Sequence, residues 1–256
     1  MAVPYHEFEA AVAALADTLP KGIAIAALDS TTSTNALAKE LSREGRPTIV
    51  IARGQTSGRG RLGRSFDSAM GEGIYLSYLF YPSITPNKIS LLTASAAVAT
   101  AECAERASGI RTGIKWVNDV YLGDKKIAGI LTEGAFSADG RLEYAIIGVG
   151  LNLYERDFGD LSWKASSIES ESGRHPDFAA TLSDLAKGVI FAASTLDTAG
   201  YKERSTVIGK RVLVSDPRGN YEATATDITD ECHLLVKDDS GNVHELSSGE
   251  ISVITI

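Results

Sequence analysis

A glycine- and arginine-rich segment at residues 53–66 places the strongest constraint on the fold, because its apolar residues follow neither the spacing of a helix nor that of a strand. The segment reads RGQTSGRGRLGRSF, and its glycines predict a loop. Glycines let backbone N–H groups approach an anion closely, and arginine guanidiniums bind phosphate or carboxylate through forked hydrogen bonds. No Gly-Lys-Ser or Gly-Lys-Thr follows, so the segment is not a Walker A loop.

The charge of this segment is opposite to that of the whole chain. Five arginines and no acidic residue lie between Arg46 and Arg64, whereas the 256 residues include 25 Lys+Arg and 33 Asp+Glu, a net charge of −8. We expect a local anion-binding loop; a flexible solvated loop and a nonspecific RNA-contacting segment are the alternatives. The acidic balance argues against a broad DNA-binding surface, which needs clustered Lys and Arg.

The remaining composition indicates an ordinary globular protein, with 44% hydrophobic and 23% charged residues. Two distant cysteines, Cys103 and Cys232, exclude a disulfide framework and a cysteine-built zinc site, and the four histidines lack metal-ligand spacing. We expect none of these residues to be catalytic. The N-terminus has no apolar signal-peptide core, and no apolar run reaches the roughly 18 residues of a membrane span, so we expect a cytoplasmic protein.

The hydrophobic pattern predicts an α+β fold with a second, smaller unit. Helices are expected over residues 5–19, 36–45, 87–108 and 178–196, and strands over 23–28, 48–52, 74–81, 112–122, 126–135 and 141–151. Residues 152–176 are expected to be irregular. Short strands follow at 210–215, 221–228, 232–237, 243–246 and 251–255, which is typical of a small closed barrel. We therefore expect two domains, 1–208 and 209–256.

A second informative segment is KWVND, residues 115–119. A lysine at the end of a strand can place a compact positive charge over a reacting carboxyl–phosphate centre, so Lys115 is a candidate for that role. Asn118 and Asp119 are interpreted either as ligands of a magnesium–phosphate group or as turn-capping residues, and the pattern alone favours the turn. Gly129 interrupts the next strand and indicates close approach of a ligand or another backbone.

A third segment, GVGLN at residues 148–152, combines two glycines with a polar end. Gly148 and Gly150 are expected to leave space above the sheet, and Asn152 offers a polar group at its rim. The segment is not a dinucleotide-binding fingerprint, because it has no third glycine and no predicted helix follows.

Together these segments resemble the catalytic domain of biotin protein ligases, which attach biotin to carrier proteins. The matching motifs, in the family's order, are Ser33-Thr34-Asn35 before a helix, Gln55 with Gly58-Arg-Gly-Arg61-x-Gly-Arg64, Lys115-Trp-x-Asn-Asp119, KIAGIL at 126–131, and Gly148-x-Gly-x-Asn152. They cover roughly residues 28–155. The tail, with Ser248-Gly249-Glu250, resembles the family's SH3-like C-terminal domain, which implies a mixed β-sheet catalytic domain flanked by helices and a small SH3-like barrel.

Two positions and one domain differ from the family pattern. Phe66 stands where the family commonly has Trp, and Val117 where it commonly has Pro. Phe66 keeps an aromatic wall, whereas Val117 removes a rigid turn residue. Only one predicted helix precedes the first strand, so the resemblance implies the ligase-only type, without the DNA-binding helix-turn-helix and without DNA as a partner.

The resemblance implies a two-step reaction with ATP, Mg²⁺ and biotin. Biotin is activated as biotinyl-5′-adenylate and then transferred to a specific lysine of a biotin carboxyl carrier protein. The implied catalytic residues are Lys115 and Arg61. The implied biotin-binding residues are Ser33, Thr34, Asn35, Gln55, Arg59, Gly60, Arg61 and Lys115. The implied nucleotide-binding residues are Arg61, Arg64, Asn118 and Asn152, and Asp119 is the candidate for magnesium held through Mg-ATP.

Some interpretations stay open beside these roles. Ser33 and Thr34 are also expected to cap a helix. Residues 54–66 are expected to be less ordered without ligand than with the adenylate, because a reactive anhydride needs shielding from water. The competing functions are a lipoate-protein ligase, which shares the general fold, and a non-catalytic nucleotide- or RNA-binding module. A homodimer is consistent with the resemblance.

Overall fold

The structure is a computed structural model that describes residues 2–85, 88–216 and 219–254. The helices in these ranges are α1 (Tyr5–Ala16), α2 (Thr34–Leu41), α3 (Ile89–Ser108), α4 (Ile168–Ser172) and α5 (Phe178–Thr195). The strands are β1 (Ala24–Thr31), β2 (Thr48–Gln55), β3 (Gly73–Phe80), β4 (Gly113–Lys115), β5 (Asp119–Leu122), β6 (Lys125–Phe136), β7 (Leu142–Asn152), β8 (Arg211–Asp216), β9 (Gly219–Ile228), β10 (Leu234–Asp238), β11 (Val243–Leu246) and β12 (Glu250–Val253).

The first seven strands form one mixed sheet in the order β1-β2-β3-β7-β6-β5-β4. β1 and β2 are parallel, and the other neighbours are antiparallel. The last five strands form a separate antiparallel sheet in the order β11-β10-β9-β8-β12. The predicted α+β class with a mixed sheet is therefore confirmed. The pairing of the second sheet does not test closure into an SH3-like barrel, which stays a prediction, as do the domain limits 1–208 and 209–256.

The two faces of the large sheet carry different helices. Side chains alternate between the faces of a strand, so Ile49 and Ile51 of β2 join the main core, which also contains buried residues of α1, α3 and α5. Val50, between them, packs against Ala38 of α2 in a second, smaller core. The opposite face of the sheet therefore carries α2, and the part of the glycine- and arginine-rich segment that ends at Phe66 lies on this face as well, because the Phe66 ring covers Gly150.

Several predicted elements differ from the observed ones. The single strand predicted over 112–122 is wrong, because a turn after Lys115 folds it into the hairpin β4–β5. Residues 152–176 are not wholly irregular: they contain α4, whose first turn is capped when Ser167 Oγ accepts a hydrogen bond from Ser170 N at 3.2 Å. β2 extends to Gln55 rather than ending at residue 52, because it pairs with β1 as far as Thr31.

Other limits shift by a few residues. α2 begins at Thr34, two residues before the predicted start, and the strand predicted from residue 232 begins at Leu234, because Cys232 has a positive φ of 62° in the preceding turn. The predicted helix start at residue 87, the centre of the turn at 216–219 and the strand end at 255 lie outside the described residues.

Two hydrogen bonds from distant parts of the chain hold the turn of the hairpin β4–β5. The indole Nε1 of Trp116 donates to the carbonyl of Cys232 at 2.9 Å. The hydroxyl of the buried Tyr201 donates to the carbonyl of Val117 at 2.8 Å. The first bond joins the KWVND turn to the turn before β10, and the second joins it to the segment between α5 and β8. Among the described helices, none combines the length and the hydrophobicity that crossing a membrane requires.

Candidate active site

One row of directly paired residues crosses the large sheet on the α2 face. From edge to edge the row is Lys115, Asp119, Gly129, Gly150, Tyr75, Ala52 and Leu28. Directly paired residues share a face, and neighbouring strands lie about 4.8 Å apart, so Lys115 lies about 14 Å from Gly150. The pairing therefore brings three motifs that are distant in sequence, KWVND, KIAGIL and GVGLN, onto one surface.

Glycines form the floor of this surface. A Cβ atom on Gly150 would lie 2.4 Å from Cε1 of Phe66, and one on Gly129 would lie 3.5 Å from Cε2 of the same ring. A Cβ on Gly148 would lie 2.1 Å from Oδ1 of Asn35. The space that the sequence predicts above Gly148 and Gly150 is thus present. Asn35 and the ring of Phe66 occupy it, and Phe66 keeps the expected aromatic wall, packed edge-on against Tyr75 with ring centroids 6.5 Å apart.

Residues 58–66 form a short hairpin rather than an irregular loop. The amide of Phe66 donates to the carbonyl of Gly58 at 2.9 Å, and the amide of Gly60 donates to the carbonyl of Arg64 at 2.7 Å. The turn at the tip places Leu62 at a φ of 55° with 72% of its surface exposed. A leucine in the left-handed region is strained, which is common where a loop serves a site.

The five arginines between residues 46 and 64 divide into two groups. Arg46 and Arg53 lie outside the hairpin: Arg46 Nε donates to Gly22 O at 3.4 Å, and Arg53 Nε pairs with Asp29 Oδ1 at 2.7 Å. Arg59, Arg61 and Arg64 belong to the hairpin. Anion binding by the stretch stays a prediction, and these last three residues are the ones that belong to the hairpin.

The three hairpin arginines have different environments. Arg61 is half-buried, and its Nη1 donates to Oδ1 of Asn118 at 3.4 Å. Burial lowers the pKa of its guanidinium, and Asp119 opposes that shift. Arg64 is mostly exposed and pairs with Oε1 of Glu250, on the C-terminal sheet, at 2.5 Å. Arg59 is exposed. A partly desolvated guanidinium such as that of Arg61 binds an anion more strongly than one in water.

Lys115 is a half-buried cation at the end of the row. Burial is the main cause that lowers the pKa of its ammonium, Asp119 opposes the shift, and Lys126 adds to it. Asp119 itself pairs with Lys126, whose Nζ lies 2.6 Å from Oδ1. Within the described residues, Lys115 Nζ has no hydrogen bond or ion pair, so its charge is available to an anion.

Asn118 has the turn role that its sequence context favours, and it also faces the arginine hairpin. Its Nδ2 donates to the carbonyl of Ile130 at 2.9 Å, and the amide of Ile130 donates back to the carbonyl of Asn118 at 2.9 Å. The peptide bond between Trp116 and Val117 is cis. Asn118 thus ties the turn to β6 while its side-chain oxygen points at Arg61.

The polar set expected for biotin forms two connected networks at the start of α2. In the first, the amide of Thr34 donates to Gln55 Oε1 at 2.8 Å, and Gln55 Nε2 donates to Ser68 Oγ at 2.7 Å. The hydroxyl of Thr34 lies 3.1 Å from the same Gln55 oxygen. Ser33 is the N-cap, and its Oγ accepts from Ala36 N at 3.5 Å, as expected for a capping residue.

The second network surrounds Asn35. Its Nδ2 donates to Oε2 of Glu133 at 2.7 Å and to the carbonyl of Leu131 at 3.3 Å, and its Oδ1 accepts from Ser77 Oγ at 2.6 Å. Asn35 therefore has its amide occupied by the protein. Sequence reasoning gave no role to Ser68, Ser77 and Glu133. The available signal for Ser77 was a lone serine within an otherwise apolar strand.

Asn152 lies at the end of β7 and is buried. Its Nδ2 donates to the carbonyl of Ser166 at 3.0 Å. Its Oδ1 is buried and has no hydrogen-bond partner within the described part of the chain. Since buried polar atoms are normally satisfied, this oxygen is a candidate acceptor for a ligand group.

The described residues do not form a magnesium site of their own. They include no group of three or more acidic, histidine or cysteine side chains that could hold a metal ion. Asp119, the candidate from the sequence, is engaged by Lys126. Magnesium usually binds proteins through one or two carboxylates together with substrate phosphates, so these residues do not fit a protein-held ion.

Two family models match the chain: the Biotin/lipoate A/B protein ligase family over residues 26–152 and the Biotin protein ligase C terminal domain over residues 207–253. The Bifunctional ligase/repressor BirA of Bacillus spizizenii is 34% identical over 239 residues, which cover 88% of this chain and 72% of that protein. The Biotin--[acetyl-CoA-carboxylase] ligase of Mycobacterium tuberculosis is 30% identical, covering 79% of this chain and 77% of that protein.

A solved structure of similar fold is the biotin protein ligase from Aquifex aeolicus in complex with biotin and ATP. It superimposes with a TM-score of 0.72 and 24% identity, over 90% of this chain and 98% of that one. At this identity the likeness supports the fold, including the separate sheet at the C-terminus.

Proposed function

The chain belongs to the biotin/lipoate A/B protein ligase family, and on that premise we propose that it is a biotin protein ligase. It activates biotin with ATP as biotinyl-5′-adenylate, releasing pyrophosphate, and then transfers the biotinyl group to a lysine of a biotin carboxyl carrier protein, releasing AMP. The match to the Biotin protein ligase C terminal domain and the names of the similar ligases favour biotin over lipoate.

The observation that carries this proposal is the half-buried charge of Lys115 at one end of the row of glycines, which no described residue neutralises by an ion pair. In the first step the biotin carboxylate attacks the α-phosphorus of ATP, and negative charge builds on the phosphate oxygens. In the second step the carrier amine attacks the acyl carbon, and the AMP phosphate leaves with its charge. A fixed cation beside this centre lowers both barriers, and Arg61 supplies a second one next to Asn118.

The biotin side of the site is assigned to the polar networks at the start of α2. The ureido ring of biotin is polar, so burying it requires hydrogen-bond partners. Ser33, Thr34 and Gln55 are the groups assigned to this ring. Asn35 is assigned a supporting role rather than direct contact with the ring, since its amide is already bound by Glu133 and Ser77. The hairpin with Arg59 and Gly60 closes over the ligand.

The nucleotide side is assigned to Arg61, Arg64, Asn118 and Asn152. Arg64 is mostly exposed and can exchange Glu250 for phosphate oxygens. Oδ1 of Asn152, which has no partner among the described residues, offers an acceptor to an amine or hydroxyl of the nucleotide. Magnesium is treated as part of the substrate, carried by the ATP phosphates. The C-terminal sheet is assigned to the SH3-like module of the family. Its residue Glu250 contacts the hairpin through the ion pair with Arg64.

The test is a biotinylation assay read by mass spectrometry. The protein is incubated with magnesium, ATP and a biotin carrier domain, with biotin in one sample and lipoate in another. We expect the carrier to gain one biotinyl group, and Lys115→Ala to abolish the gain. Lys187→Ala is the control, because Lys187 is exposed on α5 at the opposite face of the sheet.

Each outcome of this assay assigns a function. A gain with lipoate instead of biotin would identify a lipoate ligase. Absence of any gain, with no ATP consumed, would favour a non-catalytic binding module. A biotinyl gain that survives Lys115→Ala would leave the function standing and remove Lys115 from its proposed role.

A further inference from the structure

A buried arginine outside the motifs lies next to the candidate site. The Arg156 side chain is only 6% exposed, and its guanidinium stacks over the ring of Phe158 with Cζ 4.0 Å from the ring centroid. Its Nη1 donates to Oδ2 of Asp67 at 2.6 Å, and its Nε lies 3.6 Å from Oε2 of Glu72. Burying a guanidinium is costly unless carboxylates neutralise it, so the protein builds a specific environment around this one.

The Arg156 contacts join two segments that the motifs treat separately. Asp67 directly follows Phe66, the ring that lies on Gly150, and Arg156 Nη2 also donates to the Asp67 carbonyl at 3.3 Å. Arg156 itself lies four residues after Asn152, beyond the end of β7. One guanidinium therefore holds both the side chain and the backbone at the exit of the arginine hairpin.

A second set of bonds strengthens the same junction. The carbonyl of Glu72 accepts from the amides of Leu153 and Tyr154, both at 3.0 Å. The segment after Asn152 is therefore fixed to the residues between the hairpin and β3. Without Arg156 these bonds would still hold Glu72, but Asp67 would lose its link to the segment. The Arg156 contact is thus the direct tie between the hairpin exit and the nucleotide side of the site.

We propose that Arg156 is a positioning residue for both substrates of the proposed ligase: it holds Phe66 over Gly150 by tying Asp67 to the segment after Asn152. This inference rests on the proposed function for its kinetic test. The guanidinium touches no reacting atom. Binding of biotin and ATP orders the hairpin, which costs conformational entropy. Arg156 lowers this cost because it already restrains the hairpin in the free protein. Removing Arg156 therefore weakens the binding of both substrates.

The test compares Arg156→Lys with Arg53→Lys. Lysine keeps the positive charge, but its ammonium group cannot hydrogen-bond to the Asp67 side chain and the Asp67 carbonyl at the same time in the way a guanidinium does. It also lacks the planar group that stacks on the Phe158 ring. Arg53 is the matched control: it also pairs with an aspartate, Asp29, at 2.7 Å, but it lies over the Tyr5 ring of α1. In biotin-dependent pyrophosphate exchange we expect Arg156→Lys to raise KM for biotin and for ATP about tenfold each, with kcat changed less than about twofold.

A second readout follows the hairpin without relying on turnover. Trypsin cleaves after arginine, so cleavage after Arg59, Arg61 and Arg64, identified by fragment mass, reports how ordered the hairpin is. We expect faster cleavage in Arg156→Lys than in Arg53→Lys without ligand, and weaker protection when biotin and ATP are added.

The outcomes separate this inference from the proposed function. If the unaltered chain shows no biotin-dependent exchange, the proposed function fails, and cleavage of the ligand-free variants still decides whether Arg156 orders the hairpin. If Arg156→Lys lowers the melting temperature but leaves both KM values and the cleavage rate unchanged, Arg156 is merely structural. Should that variant fail to fold, Asp67→Asn replaces it, because Asp67 is half exposed and the same KM pattern is expected.

Discussion

Replacing Gly150 with alanine tests the glycine floor directly. The added Cβ would lie 2.4 Å from Cε1 of Phe66 and 2.7 Å from its Cζ. Carbon atoms pack at about 3.5–4.0 Å, so the ring must move by roughly 1 Å. Overpacking of this kind costs about 1–3 kcal/mol. Because Phe66 is half-buried at the edge of the site, we expect the cost to fall on the ligand-bound geometry rather than on global stability.

The expected kinetic effect follows from that cost. A loss of about 1.4–2.8 kcal/mol of transition-state stabilisation lowers kcat/KM about 10- to 100-fold, measured by biotin-dependent pyrophosphate exchange. Phe66→Leu in the same chain removes the clashing ring edge and should recover part of the loss. The reasoning is refuted if Gly150→Ala alone keeps kcat/KM within about twofold, or if Phe66→Leu makes Gly150→Ala worse.

Three further predictions concern charged groups. Because the pKa of Lys115 is lowered, Lys115 loses its proton at a lower pH than a free lysine, and the rate of adenylation should decline on the alkaline side. Lys115→Arg should shift that decline to higher pH. An unchanged pH profile would contradict this prediction. Glu133→Ala leaves the Asn35 amide one acceptor short, and we expect weaker biotin binding, about 3- to 30-fold by calorimetry, with Glu133→Gln closer to the parent. The pKa of Asp238 is lowered to about 2, first by its hydrogen bond to His244, so it stabilises the fold above its ordinary pKa of 3.8 and loses this effect as pH falls toward 2. His244→Gln should therefore lower the melting temperature at pH 5 but not at pH 2, and an equal difference at both pH values would contradict the linkage.

Some properties of the hairpin at residues 58–66 could be predicted from its residue types, and others could not. Its composition predicted a loop, and its arginines predicted anion binding, because glycine and arginine have these properties wherever they occur. The bend at Leu62 and the separate role of Arg53 were not predictable. Arg53 is identical in type to Arg59, but it lies on β2 beside β1, which supplies Asp29, and its guanidinium lies over the Tyr5 ring of α1.

The contacts of Asn35 and Arg156 could not be predicted from the sequence. Asn35 belongs to a motif, yet its bonds to Glu133 and Ser77 depend on strands about 100 and 40 residues away, respectively. Arg156 belongs to no motif, and its burial between Asp67 and Phe158 arises only when the segment after β7 folds back. Both depend on partners that periodicity does not identify.

The sequence by itself determined most of the element types, the mixed α+β class and the family, because periodicity, glycine placement and short motifs are local properties, but it missed the hairpin β4–β5 and α4. Only the tertiary structure decided that Lys115, Gly129 and Gly150 share one row, since strand register sets which residues face each other. It also decided which charges are free. Lys115 has no ion pair in the part of the chain that the structure describes, whereas Asp119 pairs with Lys126, and that difference comes from packing across strands rather than from residue type.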